Sequence, residues 1–493
     1  MKRLLALLIV STTLTLVPIA LSAQPSFSSK TLVLSHITVI DASGTPAQPG
    51  MTIVIANGRI SELGKNVRAP QDAQVIDASG KFLIPGLWDT HGHPHRPDDL
   101  GLFIANGVTG VRVMGGLPWY YETRLQIQNG KIIGPRMAIA SRLIDGPDPS
   151  QAPAPLPGDQ TGIAKEWAEV MAGGRPRSLF VAKAADARQA ILRSKQDGAE
   201  FVKIHDGLSR EAYFALVDES KKQGFSFVGH IPLAVSPAEA SDAGQKSIEH
   251  MQGILIACST KEEELRKATE DLASLPGPQR AAKSAAIQRA TLDTFSAEKA
   301  KALAARFARN HTWQCPTLTS RFGTKERAER TAATLKYVPA SVRARWQRAA
   351  AAIPDTGADE QAVAQMLDQK LLEVVGIMHR AGVRFLAGTD VGGVFLVPGF
   401  SLHDELGYLV AAGFTPMQAL QSATFDAARF LGQEKEWGTI QKGKLADLIV
   451  LDANPLLNIS NSRKINAVVV NGRLLDRKTL DAMLDQVEAA DQN

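Results

Sequence analysis

The chain has 493 residues, of which 44% are hydrophobic, and this is enough apolar material to bury a large core. Its formal net charge of +5 is modest, and no basic patch interleaved with aromatic residues accompanies it, so the sequence gives no basis for a nucleic-acid partner. Only two cysteines are present, Cys258 and Cys315. They are compatible with a disulfide in an oxidising compartment or with two buried free thiols, and we expect neither to bind a metal.

The first 23 residues have the pattern of a secretory signal peptide. The charged start Met1–Arg3 is followed by an apolar run from Leu4 to Leu21 and by small residues that end at Ala23. An uncleaved membrane anchor is the alternative, since the run approaches spanning length, but its Ser, Thr and Pro residues dilute it. We therefore predict a periplasmic or secreted protein without stable membrane insertion after cleavage.

Both ends of the mature chain contain short β segments. Asn57-Gly58 and Asn471-Gly472 each lie between apolar runs, which is a hairpin signal. We predict that residues 30–83 and 435–475 pair into one small β-sandwich domain beside the central part of the chain.

The central residues 84–434 alternate short apolar runs with helical stretches, as expected of an α/β protein with a (β/α)8 TIM barrel. Gaps of about sixty residues precede the seventh and the eighth run, and they predict helical insertions near 255–310 and 320–380 that form either a lid or a solvated hairpin. The Pro-rich stretch 146–158 is predicted as a loop over the same face. The predicted strands are 84–91, 108–114, 137–143, 200–205, 225–230, 247–250, 312–318 and 384–390.

Residues able to serve at a metal site lie at or just after the ends of these predicted strands. His91 and His93 stand at i and i+2 of one strand, so their side chains project from the same face and can hold a single ion. Parallel barrel strands would bring all the strand ends to one mouth. The predicted site comprises His91, His93, Lys203, His230, His250 and Asp390.

The segments around these residues resemble the amidohydrolase superfamily. Within it, the chain is most similar to the branch that holds imidazolonepropionase-like proteins and bacterial Xaa-Pro and related dipeptidases. The resemblance implies the same barrel with a β-sandwich at its side. It is carried by Ile84–His93, Phe201–Ile204, Gly229-His230, Ser247–His250 and Ala387–Asp390, and downstream by Leu402–Leu406 and Gly443–Val450.

Lys203 distinguishes the branches of this superfamily. An ammonium group has no lone pair for a metal, but a lysine buried beside cations has a lowered pKa, and its neutral amine can add carbon dioxide to form a carbamate. The resemblance to the dipeptidase branch implies that carbamylated Lys203 bridges two divalent ions, with Zn²⁺ expected and Mn²⁺ or Co²⁺ as alternatives. The structural alternative is a lysine whose aliphatic stem packs on the protein while its ammonium group reaches solvent. The implied ligands are His91, His93 and Asp390 for one ion and His230 and His250 for the other.

Asp390, at the end of the eighth run, is the predicted catalytic proton acceptor, with a helix N-cap as its structural alternative. The reaction class is attack of metal-activated water on a polarised carbonyl with loss of an amine, and the expected small-molecule substrates are peptide-like or N-acyl amino acid amides. Two alternatives remain open: a cyclic-amide or lactam hydrolase of the imidazolonepropionase type, and a catalytically silent periplasmic binding protein. The sequence does not decide whether the chain forms a homo-oligomer.

Three further residues are candidates for the substrate pocket. His205 follows Lys203 by two positions and would face the same way on a continuing strand. Arg142 and Arg321 lie near strand ends, as does Arg112, and an arginine there can bind a substrate carboxylate in bidentate fashion. A structural role is the alternative for each of them.

Overall fold

In the computed structural model, the described residues are 30–147, 178–322, 324–352 and 357–490. They form two β-sheets and a large set of helices. The strands in chain order are β1 Leu32–Val39, β2 Gln48–Ala56, β3 Arg59–Gly64, β4 Gln74–Asp77, β5 Phe82–Pro85, β6 Leu87–Gly92, β7 Val108–Val113, β8 Arg136–Asp145, β9 Leu179–Phe180, β10 Phe201–Ile204, β11 Phe227–Gly229, β12 Ser247–Glu249, β13 Trp313–Cys315, β14 Leu448–Leu451, β15 Ile465–Val470 and β16 Arg473–Asp476.

The first sheet is assembled from both ends of the chain, in the order β16-β15-β14-β5-β1-β2-β3 with β4 beside β1. Its two hairpins close through Asn57-Gly58 and Asn471-Gly472, and all four turn residues have positive φ, as a two-residue turn of type I′ requires. The inner face carries its own apolar cluster, which includes Ile37, Ile53 and Leu448. The predicted second β domain is thereby confirmed.

The second sheet is the barrel, in which β6, β7, β8, β10, β11, β12 and β13 follow one another in parallel. The barrel class is confirmed, but the predicted eighth strand is not a regular one. The segment 384–391 closes the ring through single bridges, Gln314 to Phe385 on one side and Gly92 to Val391 on the other. Its extended path is short because Asp390 takes a left-handed backbone with φ of 61°.

The predicted first barrel strand, 84–91, is divided at Gly86. β5 before it belongs to the end-to-end sheet, while β6 after it belongs to the barrel. A Cβ at Gly86 would lie 2.1 Å from Oγ1 of Thr109, so only glycine allows the chain to cross between the two sheets this close to β7.

Helices surround the barrel and fill both regions where insertions were predicted. Short helices such as Pro237–Asp242 and Pro416–Ser422 begin with a capping box, in which Ser or Thr and the Glu or Gln three residues later exchange hydrogen bonds. The helices are Asp99–Ala105, Pro118–Gln128, Ala184–Gln196, Arg210–Lys222, Pro237–Asp242, Ile254–Ala257, Glu262–Glu270, Gly277–Asp293, Ala297–Asn310, Leu318–Arg321, Thr324–Thr331, Ala340–Ala351, Ala358–Arg380, Phe400–Ala411, Pro416–Ser422, Phe425–Phe430 and Arg477–Ala490, with 3-10 turns at Asp271–Ser274, Ala332–Tyr337 and Ile459–Arg463.

The structure tests only part of the remaining sequence predictions. The signal peptide and nearly all of the Pro-rich loop 146–158 lie outside the described residues. Cys258 and Cys315 are both buried free thiols. The helix Arg477–Ala490 follows the last predicted β segment and packs against Asp99–Ala105. Within the described ranges, none of the helices combines the length and the apolar character that a membrane crossing needs.

Candidate metal centre at the mouth of the barrel

The histidines predicted as ligands converge where the barrel strands end. His91 lies in β6, while His230 and His250 directly follow β11 and β12. The imidazole centroids of His91 and His250 are 4.5 Å apart, and those of His230 and His250 are 4.8 Å apart. Three separate strands and the closing segment, which carries Asp390, therefore supply one compact group of donors.

Asp390 and His93 complete the first predicted ligand set. The Oδ1 atom of Asp390 lies 3.5 Å from Nε2 of His91 and 3.5 Å from Nε2 of His93. These three residues form one group with ligand atoms within 4.8 Å of one another. His250 and Asp390 both have left-handed backbones, with φ of 62° and 61°. His and Asp tolerate this conformation better than most residues, and it turns the chain out of the strand at the mouth.

A buried carboxylate fixes the orientation of His91. The Nδ1 atom of His91 lies 2.8 Å from Oε2 of Glu249, and both side chains are fully buried. The guanidinium of Arg112 donates to the same carboxylate at 2.8 and 3.0 Å. Because an ionised carboxylate only accepts hydrogen bonds, Nδ1 of His91 carries the proton and Nε2 keeps a lone pair facing the mouth. Sequence reasoning missed Glu249, although it precedes His250 in the Ser-Ile-Glu-His segment.

Lys203 lies at the base of the same group and does not reach solvent, since it is 1% exposed. Gly229 makes room for its stem, because a Cβ at Gly229 would lie 3.0 Å from Cδ of Lys203. Burial lowers the pKa of Lys203 to about 8, against the opposing effects of Glu249 and Asp390. A lysine in this setting has an appreciable neutral fraction near neutral pH.

His91, His230, His250 and Asp390 have the protonation states that a cation requires. Burial, assisted by the charge of Lys203, lowers the pKa of both His91 and His230, and burial lowers the pKa of His250 to about 4. Burial alone would raise the pKa of Asp390, but His250 and the other two histidines outweigh it and hold that pKa below its usual range. Neutral imidazoles beside an ionised carboxylate form a chemically suitable ligand set.

Three buried atoms of the group have no hydrogen-bond partner among the described residues: Nε2 of His91, Nζ of Lys203 and Nδ1 of His230. Buried polar atoms without partners are rare in proteins, and an absent ion is one of the standard explanations. The donor chemistry and these three atoms therefore fit divalent metal ions. Thr317 supports the arrangement, because its Oγ1 is hydrogen-bonded to Nδ1 of His250 at 2.7 Å.

His205 lies beside the second predicted ligand set. Its ring centroid is 4.2 Å from that of His230, and its Nδ1 lies 3.0 Å from Oδ2 of Asp145. Burial would lower its pKa, but hydrogen bonds to Asp145 and Asp206 outweigh this and raise it. His205, Asp206 and His230 also bring ligand atoms within 4.8 Å of one another, a grouping that sequence reasoning did not anticipate.

The three arginines considered as substrate clamps lie in different places. Arg112 is wholly buried on Glu249, and Nε of Arg142 lies 3.0 Å from Asp197 at the end of the helix Ala184–Gln196, so neither joins the mouth. Arg321 does lie next to this region, because it ends the helix Leu318–Arg321, whose N-cap residue Thr317 is hydrogen-bonded to Nδ1 of His250 at 2.7 Å. Of the three, only Arg321 is therefore placed to meet a substrate.

Known structures share this architecture. A bottromycin amidohydrolase structure has 23% identity and a TM-score of 0.72, covering 94% of this chain and 90% of that chain. A Xaa-Pro dipeptidase with bound methionine in its active site has 20% identity and a TM-score of 0.62, covering 91% of this chain and 100% of that chain. At these identities the likeness concerns the fold.

Curated relatives match over shorter regions. An N-acetylglucosamine-6-phosphate deacetylase from Lysinibacillus sphaericus is 25% identical over 256 residues, covering 47% of this chain and 62% of the relative. A dihydroorotase from Geotalea daltonii is 49% identical over 96 residues, covering 19% of this chain and 21% of the relative. The chain thus spans less than two thirds of either relative. The family model described as Amidohydrolase family matches residues 103–475, most of the sequence, and the chain therefore belongs to the amidohydrolase family.

Proposed function

We propose that this protein is a metal-dependent hydrolase that cleaves the carbon–nitrogen bond of a peptide-like or N-acyl amino acid amide. The observation that carries the proposal is Lys203, a fully enclosed amine without a hydrogen-bond partner among the described residues, set within a group of neutral histidines. Membership of the amidohydrolase family and the names of the relatives support the same class of bond.

In this proposal, His91, His93 and Asp390 would hold one divalent ion, His230 and His250 would hold a second, and carbamylated Lys203 would be a ligand shared by both. When bound, the ions supply a polarised carbonyl and a water of lowered pKa. Zn²⁺ suits imidazole and carboxylate donors, and Mn²⁺ or Co²⁺ are the alternatives.

A residue of the chain itself then transfers the proton from the attacking water to the leaving nitrogen. Asp390 is ionised and 31% exposed at the side chain, so it is open to the mouth and accepts a proton from the attacking water before releasing it to the leaving nitrogen. Its position is fixed from below, because Thr389 donates through its backbone N at 3.1 Å and its Oγ1 at 2.6 Å to the buried carboxylate of Asp89. Asp89 thereby acts as a positioning residue.

The test is a metal count on Lys203→Ala. The wild-type protein, prepared with bicarbonate, is expected to hold two divalent ions per chain by elemental mass spectrometry and to hydrolyse a member of a panel of dipeptides, N-acyl amino acids and lactams. Lys203→Ala is expected to lose most of both properties, with partial recovery of activity when a short carboxylic acid replaces the carbamate. Lys246→Ala is the matched control, since Lys246 is a half-buried lysine that donates to the carbonyl of Phe430. Unchanged metal content and activity in Lys203→Ala would contradict the two-metal assignment.

We also propose that the protein is exported, because the pattern of residues 1–23 is that of a secretory signal.

A further inference from the structure

Arg321 is the last residue of the short helix Leu318–Arg321, which follows strand β13 of the barrel. Arg321 is exposed, and its side chain makes no ion pair or hydrogen bond among the described residues. The surrounding protein nevertheless lowers its pKa through desolvation, and Asp368 opposes this only at a distance. A cation that is partly desolvated and unpaired is available for an anionic ligand.

An apolar cavity of about 190 Å³ adjoins this guanidinium. Its wall includes Met251, which directly follows the predicted ligand His250, so the cavity lies next to the segment that carries this ligand. The rest of the wall comes mainly from the helical insertions and is mostly apolar. It includes Ile256, Ile287, Leu367 and Leu371, together with the acidic residue Asp368. An apolar cavity of about 150 Å³ is already large enough to bind benzene, so this one has room for a benzyl group.

A second guanidinium lies nearby on the helix Thr324–Thr331. Burial lowers the pKa of Arg327, and the first charge that opposes this is the carboxylate of Asp390. Arg327 donates to the carbonyl of Ser320, the residue before Arg321, so both arginines belong to the segment that begins at Thr317 beside His250. The insertion after β13 therefore carries two cationic side chains next to the ligand group, and this favours a substrate with an anionic group.

We propose, resting on the function given above, that Arg321 binds the carboxylate of the substrate and that the adjoining cavity holds an apolar side chain on the same carbon. The two subsites touch, because Arg321 itself lines the cavity. A carboxylate and a side chain on one carbon define an α-amino acid, which is then the amine released from the scissile amide. The preferred substrates are N-acyl amino acids or dipeptides whose C-terminal residue is large and apolar.

The experiment compares N-acetyl-L-phenylalanine with its neutral analogue N-acetyl-L-phenylalaninamide and with N-acetylglycine. The wild-type protein is expected to prefer the acid over the amide by about tenfold to a hundredfold in kcat/KM, the range of one charge-assisted contact. It is also expected to prefer phenylalanine over glycine. Arg321→Met keeps the length of the side chain and removes its charge, so it should abolish the first preference and leave the metal content unchanged.

Two variants serve as matched comparisons. Arg142→Met removes an arginine that pairs with Asp197 away from the mouth, so the ratio of acid to amide should stay at the wild-type value. Asp368→Asn removes the negative charge that opposes Arg321, so the ratio should stay or rise. A ratio that falls equally in Arg142→Met and Arg321→Met would overturn the assignment.

The outcomes separate this proposal from the proposed function. Equal hydrolysis of acid and amide by the wild-type protein overturns the role of Arg321 and leaves amide hydrolysis standing. Preferential hydrolysis of N-acetylglucosamine 6-phosphate assigns the cation to a phosphate and also overturns the carboxylate subsite. If none of the amides is hydrolysed, the proposed function fails, and calorimetry decides the subsite: tighter binding of N-acetyl-L-phenylalanine than of its amide, lost in Arg321→Met, supports it, and any other result refutes it.

Discussion

The ion pair of Arg112 and Glu249 gives a test of how the barrel supports its metal centre. Both side chains are 0% exposed, and the guanidinium also donates to Oγ of Ser247 at 3.2 Å and to the carbonyl of Thr90. In Arg112→Met, the carboxylate would remain enclosed with Ser247 and His91 as its neighbours and would lose the cation that is paired with it.

The expected loss of stability is large. Removing one partner of a buried ion pair destabilises a protein by about 3–5 kcal/mol, since the other charge is left uncompensated, whereas replacing both partners is far less harmful. Arg112 is the main reason that the pKa of Glu249 stays low despite burial. We therefore expect Arg112→Met to lose about 3–5 kcal/mol of unfolding free energy, and the double variant Arg112→Met/Glu249→Gln to lose less than the single one.

Urea unfolding followed by tryptophan fluorescence measures these losses. Arg124→Met is the control, because the pair of Arg124 and Glu200 at 2.6 Å is partly exposed, at 23% and 46%, and such a pair contributes less than about 1 kcal/mol. The reasoning is refuted if Arg112→Met costs no more than Arg124→Met, or if the double variant is less stable than Arg112→Met.

Three further expectations concern catalysis, pH and export. Asp390→Asn should lower kcat by about 10²–10⁴-fold on a preparation that retains its metal, and activity within a few-fold of the parent would exclude Asp390 as the base. Burial raises the pKa of Glu405 to about 8, so the folded state keeps a proton that the unfolded chain loses near pH 4.3, and stability should fall as pH rises between these values. Glu405→Gln should remove that fall in urea titrations at pH 4 and pH 8, and parallel pH profiles would refute the assignment. Mass spectrometry of the mature protein should find a start near Gln24, and an intact Met1 on cytosolic protein would contradict export.

Much of the barrel could be predicted because its signals are local. Each strand is a short apolar run, and each candidate ligand lies at the end of such a run, where parallel strands must converge. The hairpins at Asn57-Gly58 and Asn471-Gly472 are equally predictable from the sequence, since their turn requires positive φ at both residues. The division of the first strand at Gly86 is not predictable from the sequence, because it depends on how closely Thr109 approaches in the fold.

The support beneath the ligands could not be predicted for a different reason. Charged residues are rarely buried, so the sequence favours Arg112 as a candidate substrate clamp and gives no signal for Glu249. Their meeting depends on residues 137 positions apart lying on strands that face the same interior. Only the closed barrel brings them together, and neither residue carries a local signal of its partner.

In this chain, the residues proposed for catalysis lie at strand ends, whereas the residues proposed for substrate specificity lie in the segments between strands. The ligands lie at strand ends that the barrel's backbone hydrogen bonds hold in place, whereas Arg321, Asp368 and the wall of the adjoining cavity come from helices between β12 and the closing segment 384–391. Loops on a rigid barrel can vary without moving the residues at the strand ends. Substitutions of Arg321 or of the cavity wall should therefore change which amide is cleaved while the metal content stays constant. Substitutions of Lys203 should instead lower the metal content and reduce the hydrolysis of every amide to the same extent.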